Sequence, residues 1–226
     1  MRERHHGGYE DVLKFASKGG KLYVDLGCCC NQPPTFSSQY LTAVGTDVRE
    51  FLLDGGDANG ANRIVAVDLL QDFIDLGQKL YRGPSKGIEF RTGNVLDKSD
   101  TRFEDLKGKV NILYTGAVFH LFLEDDQRIF AEVIRGLLAK EGEVVAFGVH
   151  RAARKKAMRP HPALERMMFG HDPESWKEMW REVLGEDAVN WTMKTELHTT
   201  WTRAEFPRGE DNPWLEWSLW RNKSSA

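Results

Sequence analysis

Five short apolar runs, each separated from the next by an amphipathic stretch, constrain the fold of this chain more than any other feature. The apolar runs lie at residues 21–26, 63–68, 88–91, 110–114 and 143–149. Apolar side chains recur at helical spacing between them, at residues 47–53, 70–81, 102–106 and 125–138. Strands that alternate with helices are typical of a parallel sheet with helices on both faces. The sequence therefore predicts an α/β fold.

The pattern changes after the fifth run. A basic stretch at residues 151–156, followed by Pro160 and Pro162, predicts an irregular, lid-like segment over residues 150–173, with a solvated loop as the alternative. Proline directly after Asp172 then predicts a helix start, and the apolar stripe of that helix is Trp176, Met179, Trp180 and Val183. Residues 189–197 and 214–220 alternate apolar and polar side chains, which predicts a closing antiparallel hairpin.

Length and charge restrict the class of protein. A chain of 226 residues predicts a single domain over residues 1–226. A formal net charge of −3 gives no basic face for phosphates, so we expect a small-molecule substrate and no nucleic acid. The apolar runs are far shorter than the ~20 residues that cross a bilayer, and the N-terminus lacks the apolar segment of a secretory signal. We therefore expect a cytoplasmic protein with no membrane partner.

The three cysteines, Cys28, Cys29 and Cys30, are consecutive. Neighbouring cysteines are poorly placed to form disulfides with one another, so no disulfide framework is expected. A metal site needs further ligands at suitable spacing, and the pair His5 and His6 is the other dense cluster. We expect no metal.

Residues just after the first two strands are candidate ligand contacts, since open parallel sheets bind ligands beyond the carboxyl ends of their strands. Asp25 can accept a hydrogen bond from a bound amine, and Gly27 permits close backbone approach. Asp68 ends the second strand, where a carboxylate can bind both ribose hydroxyls. The alternative for Asp68 is a cap on the following helix.

Two later strand ends offer further polar groups. Asn94 can donate to and accept from an adenine edge, although stabilising the turn after Gly93 explains it equally well. His120 follows the fourth strand and is the candidate acid/base residue, because its ordinary pKa allows proton transfer near neutral pH. The alternative is a histidine that only packs among aromatic side chains.

Together these strand ends resemble the successive motifs of class I methyltransferases that use S-adenosylmethionine. More narrowly, the chain is similar to the stand-alone methyltransferases of fungal gene clusters that make polyketides and meroterpenoids, which are partly terpenoid compounds. The stretches that carry the resemblance are VDLGCC at 24–29, GTDVREFLLDG at 45–55, VDLLQDFIDLG at 67–77, AVFHLF at 117–122 and FGHDPESW at 169–176.

The resemblance implies a mostly parallel sheet of seven strands, the last antiparallel, and O-methylation of a secondary metabolite at a carboxyl or hydroxyl group. Partners are then the small-molecule substrate and a second copy of the chain in a homodimer. It implies His120 as the catalytic residue. It also implies S-adenosylmethionine as cofactor, bound by Asp25, Gly27, Gly45, Asp47, Asp68, Leu69, Asn94, Val95 and Thr115.

The chain departs from these relatives at two places. Residues 30–43 stand between the Gly-Cys-Cys turn and the Gly-Thr-Asp helix start, and their removal restores a G-x-x-x-G loop, so we interpret them as an insertion. Residues 1–20 are interpreted as a short remnant of a longer N-terminal cap. The interrupted loop motivates the alternative of a methyltransferase-fold protein without methyl transfer, either a ligand-binding protein or a cyclase or isomerase. A dinucleotide-dependent dehydrogenase is disfavoured, since G-x-G-x-x-G is missing.

Overall fold

A computed structural model gives the architecture. It describes residues 6–28, 45–82, 86–97, 99–160, 166–198 and 213–221. The helices are α1 (Tyr9–Ala16), α2 (Thr46–Leu53), α3 (Gln71–Leu80), α4 (Glu124–Leu137) and α5 (Pro173–Leu184). The strands are β1 (Leu22–Leu26), β2 (Arg63–Asp68), β3 (Ile88–Thr92), β4 (Ile112–Gly116), β5 (Val144–Arg151), β6 (Ala157–Pro160), β7 (Met167–Gly170), β8 (Trp191–His198) and β9 (Trp214–Arg221). Short 3-10 turns lie at Thr101–Leu106, Phe119–Leu121 and Gly185–Asn190.

The main sheet has seven strands in the order β3-β2-β1-β4-β5-β9-β8. Strands β1 to β5 pair in parallel, whereas β9 lies antiparallel to both β5 and β8. The predicted mostly parallel sheet with an antiparallel last strand is confirmed. Strand order reverses between β1 and β4, and this reversal is where open α/β sheets bind ligands.

Helices cover both faces of the sheet because the central strands are apolar on both sides. Strands β1, β4 and β5 are buried along their whole length. On one face, Val24, Leu113 and Ala146 pack with side chains of α4 and α5 such as Ile134 and Trp180. On the other face, the core includes Tyr23, Ile112, Val145, Phe51, Ile74, Val12 and Phe15, the last four from α2, α3 and α1. Residues 1–20, interpreted as a cap remnant, thus contribute a core helix.

The segment at residues 150–173 is more regular than predicted. Strands β6 and β7 within it pair antiparallel, Ala157 with Gly170 and Met158 with Phe169. Arg151 is also buried rather than part of an exposed basic run. The prediction missed these two strands, since Pro160 lies at the end of β6, where proline is tolerated. A lid-like role for the segment stays a prediction.

Candidate functional site

The carboxyl ends of β1 and β2 meet at one point of the sheet edge. The backbone N–H groups of Gly27 and Cys28 both donate to the carbonyl oxygen of Val67, at 2.9 and 3.1 Å. The N–H of Gly93, after β3, donates to the carbonyl of Asp68 at 2.9 Å. Three successive strand ends are therefore joined by backbone hydrogen bonds, which brings the predicted Gly27, Asp68 and Asn94 turns to one edge.

Gly27 occupies a position that no other residue fits without strain. Its φ is +76°, in the left-handed region, and a Cβ placed on it would lie 2.3 Å from Cγ2 of Val118. Val118 follows β4, so the end of β4 lies directly over the turn after β1. Because glycine has no side chain, the backbone of this turn approaches the end of β4 closely, and a ligand's polar group can approach the backbone in the same way.

Gly45 lies beside this turn, although residues 29–44 separate it from Cys28. Its N–H donates to the carbonyl of Cys28 at 2.9 Å, and its φ is +68°. Arg49 is buried on α2, donates to the carbonyl of Gly45 at 2.9 Å, and lies over the rings of Tyr81 and Phe90, 4.3 and 5.0 Å from their centroids. Two independent contacts therefore hold Gly45 at the N-terminus of α2.

Asp68 is buried at the end of β2, with 4% exposure. Its Oδ1 accepts a hydrogen bond from the N–H of Leu70 at 3.0 Å, just before α3 begins. This hydrogen bond closes a turn before α3, whose N-cap is Leu70 and has no side-chain cap, so Asp68 does not cap the helix as the alternative proposed. Ribose binding by Asp68 stays a prediction.

Asn94 also performs the role given as its alternative. Its Oδ1 accepts from the N–H of Leu96 at 3.1 Å, which closes a turn after β3, and the side chain is exposed. Val95 is half-buried and packs against the core beneath this turn, while Leu69 is exposed beside Asp68. An adenine contact at these three positions stays a prediction.

The remaining residues predicted to contact S-adenosylmethionine lie on β1, α2 and β4. Asp25 is buried within β1, and Asp47 in the first turn of α2 accepts a hydrogen bond from the hydroxyl of Tyr114 on β4, at 3.2 Å. The hydroxyl of Thr115 is buried and has no hydrogen-bond partner in the described part of the chain. A buried hydroxyl of this kind next to the strand-order reversal can accept a ligand contact.

Ala117, directly after β4, carries backbone strain that the sequence did not reveal. Its φ is +60°, a region in which non-glycine residues are uncommon, and its N–H donates to the carbonyl of Val149 at 2.7 Å. Strained residues concentrate at ligand sites because the surrounding structure must hold them there. The only hint in the sequence is the pair of small residues, Thr115 and Gly116, that ends β4 directly before Ala117.

His120 lies in the turn after Ala117, and it is buried. Its Nδ1 accepts a long hydrogen bond, 3.4 Å, from the N–H of Arg151 at the end of β5, and its ring meets that of Trp214 edge to face. An accepting Nδ1 leaves the proton of a neutral imidazole on Nε2. The structure thus places His120 between the carboxyl ends of β4 and β5.

Two further buried histidines lie beneath this turn and were missed in the sequence. Neither ring nitrogen of His150 has a hydrogen-bond partner among the residues described, and burial holds its pKa well below the ordinary value. Nδ1 of His171 is hydrogen-bonded to Oγ of Ser175 at 3.0 Å. Burial lowers the pKa of His171 to about 4. Both imidazoles are neutral near neutral pH and pack against Trp176.

The tryptophans are mainly core residues. Trp176, Trp180 and Trp217 are fully buried in the cluster formed with α4 and α5. These three side chains therefore contribute to packing of the core.

A sheet in this order, with a glycine turn after β1 and a buried acid after β2, defines the class I methyltransferase fold. The fold agrees with that of solved methyltransferases. The 1,6-didemethyltoxoflavin-N1-methyltransferase of Burkholderia thailandensis, with bound S-adenosylhomocysteine, aligns with a TM-score of 0.54 and 14% identity over 95% of this chain and 80% of its own. Phosphoethanolamine N-methyltransferase 2 of Haemonchus contortus aligns with a TM-score of 0.57 and 10% identity over 97% of this chain and 54% of its own.

The relatives found by sequence comparison are fungal methyltransferases, and the resemblance drawn from the motifs is confirmed. The chain is 30% identical to methyltransferase ausD of Aspergillus calidoustus, over 77% of this chain and 57% of that protein. It is 28% identical to ausD of Penicillium brasilianum over 83% of this chain and 61% of that protein, and 26% identical to O-methyltransferase phiE of a fungal species over 82% and 57%. The chain thus spans about three fifths of the length of these relatives. No protein-family profile matches it.

None of the helices in the described ranges is both long enough and apolar enough to span a bilayer.

Proposed function

We propose that this chain is an S-adenosylmethionine-dependent methyltransferase that methylates an oxygen of a small-molecule secondary metabolite. The observation that carries the proposal is the convergence of strand ends at the order reversal. The Gly27 turn, the buried Asp68 and the strained end of β4 lie against one another there. Relatives that carry methyltransferase and O-methyltransferase names support the same activity.

The residues of this edge fit S-adenosylmethionine. A Cβ at Gly27 would lie 2.3 Å from Cγ2 of Val118, so only glycine lets the turn after β1 lie this close to the end of β4. The buried hydroxyl of Thr115, which has no hydrogen-bond partner among the described residues, is a polar group that the donor can contact. Asp68 offers a carboxylate for the ribose hydroxyls, and Asn94 with Val95 offers a polar edge and an apolar surface for the adenine. Asp25, Gly45, Asp47, Leu69 and Thr115 complete the proposed contacts.

The donor, when bound, supplies an electrophilic methyl group on a sulfonium. The protein's contribution is chiefly to hold an acceptor oxygen in line with that methyl group and to exclude water, since orientation alone contributes a large part of such an acceleration. The ends of β1, β2 and β3 serve this purpose because backbone hydrogen bonds fix the distances between them, and Val118 after β4 packs against the same turn.

We infer that the acceptor is a carboxylate, which is ionised near neutral pH and needs no general base. His120 is the catalytic candidate because it is buried between the carboxyl ends of β4 and β5. Since its Nδ1 accepts from the N–H of Arg151, the proton of the neutral ring lies on Nε2. In the proposed reaction His120 positions the acceptor, and the product is a methyl ester.

One observation favours a second candidate, a methyltransferase-fold protein that binds a ligand without transferring a methyl group. Residues 29–44 interrupt the chain between Cys28 and Gly45, within the loop proposed to contact the donor. The hydrogen bond from the N–H of Gly45 to the carbonyl of Cys28 supports the active candidate, since both ends of the loop meet.

Methyl transfer from isotopically labelled S-adenosylmethionine to a panel of carboxylic acids and phenols tests the proposal. We expect labelled esters with at least one carboxylic acid, and His120→Gln to lower the rate more than the donor affinity. Donor binding without transfer to any member of the panel would favour the second candidate. Absence of donor binding would reject both the cofactor and the activity.

The cytoplasmic location and the homodimer are further parts of this proposal. Sedimentation of the full chain, with and without S-adenosylhomocysteine, tests the homodimer. A monomer at all concentrations would reject it.

A further inference from the structure

We propose that Glu196, His198 and Glu216 form a binding site for one divalent transition-metal cation of the zinc class. Glu196 and His198 lie on β8, two residues apart and therefore on the same face, and Glu216 lies on β9. One ligand atom from each side chain lies within 4.8 Å of the other two. Among the residues that the structure describes, this is the group of three possible ligands with that spacing.

The strand register places two negative charges opposite each other. Glu196 and Glu216 are directly paired residues of the antiparallel strands β8 and β9. Like charges at directly opposite positions destabilise a sheet. A divalent cation between the two carboxylates removes that repulsion, which gives the pairing a physical reason.

His198 lies between the two carboxylates. Its Nε2 is 3.0 Å from Oε2 of Glu216, and its Nδ1 is 3.7 Å from Oε1 of Glu196. A cation bound to Glu216 and to one imidazole nitrogen replaces the hydrogen bond between them. The imidazole completes a ligand set of two carboxylates and one nitrogen, with water free to take the remaining position.

Groups outside this set hold Glu216 in place. Its Oε1 accepts a 2.7 Å hydrogen bond from the N–H of Gly7, and Nδ1 of His6 lies 3.6 Å from the same oxygen. His6 is itself fixed, since its Nδ1 accepts from the N–H of Gly8 and its Nε2 lies 2.9 Å from the carbonyl of Trp217. Outer contacts that orient a ligand carboxylate are typical of metal sites.

The chemistry of the ligands selects the kind of cation. Imidazole together with carboxylate suits Zn²⁺, for which Co²⁺ is a spectroscopic substitute, whereas Ca²⁺, Mg²⁺ and Mn²⁺ prefer oxygen ligands. The side chain of Glu196 is 68% exposed, so an ion can reach the site from solvent. The site lies on β8 and β9, and strands β4 and β5 stand between β9 and β1 in the sheet.

The test uses the full chain after treatment with a chelator. Titration calorimetry with ZnCl₂ measures stoichiometry and affinity, and the visible absorption of added Co²⁺ reports its ligands. We expect one ion per chain, at least tenfold weaker binding in Glu196→Gln and in His198→Ala, and unchanged binding in the control Glu178→Gln, which removes an exposed carboxylate on α5. Because Glu196 is exposed, its variant folds.

Three outcomes overturn the proposal. In the first, zinc does not bind. In the second, zinc binds equally to the parent chain and to both ligand variants, so the ion lies at another site. In the third, the Co²⁺ spectrum shows a thiolate charge-transfer band, which assigns the ion to cysteine instead of to the carboxylates and His198. The donor-binding experiments do not enter this test, so its failure leaves the proposed function untouched.

Discussion

The backbone N–H of Gly45 donates a 2.9 Å hydrogen bond to the carbonyl oxygen of Cys28, across the whole of residues 29–44. The chain thus leaves the turn after β1 and returns to it at the same point. Removing a segment whose two ends already meet requires little rearrangement of the sheet. Because of this contact, the interpretation of residues 30–43 as an insertion can be tested by deleting them.

Deletion of residues 30–43 joins Cys29 to Val44 and leaves both partners of the Cys28 to Gly45 hydrogen bond in the chain. We expect the thermal midpoint to stay the same or rise, since a shorter loop costs less closure entropy. Donor affinity is expected to rise, and calorimetry with S-adenosylhomocysteine measures it. Loss of the folded state on deletion would show that the segment is structural.

Replacement of Asp68 separates ribose binding from its hydrogen bond to the N–H of Leu70. Asp68→Asn keeps an oxygen for this N–H but removes the charge, so we expect unchanged stability and donor binding at least tenfold weaker. Asp68→Ala removes the hydrogen bond as well, which costs about 1 kcal/mol of stability. Thermal unfolding and calorimetry on the same samples distinguish the two effects. Donor affinity that survives in the asparagine variant would leave the turn before α3 as the sole role of Asp68.

Substitution of Gly27 tests the packing between the turn after β1 and the end of β4. Gly27→Ala combines a positive φ with a Cβ 2.3 Å from Val118, whereas Gly60→Ala has a φ of +61° and no atom near its Cβ. The control is expected to lose about 1–2 kcal/mol from backbone conformation alone. We expect a larger loss at Gly27, partly restored by adding Val118→Ala. Equal losses in urea unfolding at the two glycines would contradict the contact.

Stability should fall as the pH drops below the ordinary histidine pKa. Burial lowers the pKa of His171 from 6.5 to about 4, with Lys156 and Arg128 acting in the same direction and Asp172 opposing them. Burial likewise lowers the pKa of His150. The unfolded chain therefore binds more protons than the folded chain below pH 6.5, and stability present above that pH is lost as the pH falls toward 4.

Thermal unfolding at a series of pH values measures this loss. The series runs from above the ordinary histidine pKa of 6.5 down to the lowered value of about 4. The variant His150→Leu removes one titrating group and two buried ring nitrogens, so we expect a flatter pH dependence. A pH profile in His150→Leu that parallels the parent chain would mean that His150 does not contribute.

The sequence predicted most elements because each has a local cause. Apolar runs that are buried on both faces gave β1, β2, β4 and β5, and the Asp172 capping box with its proline gave the start of α5. The paired strands β6 and β7 were missed, since each has only four residues and therefore no distinctive periodicity. Strand β6 also contains Pro160, which is uncommon inside strands.

The sequence by itself determined the alternation of strands and helices, the carboxylate at the end of β2 and the glycine after β1, because side-chain periodicity and turn chemistry act over a few residues. Tertiary structure alone decided which distant residues meet. Contacts of Cys28 with Gly45, of Val118 with Gly27 and of Glu196 with Glu216 arise from strand order and register. Register and crossover follow from burying a complete core, which no local segment specifies.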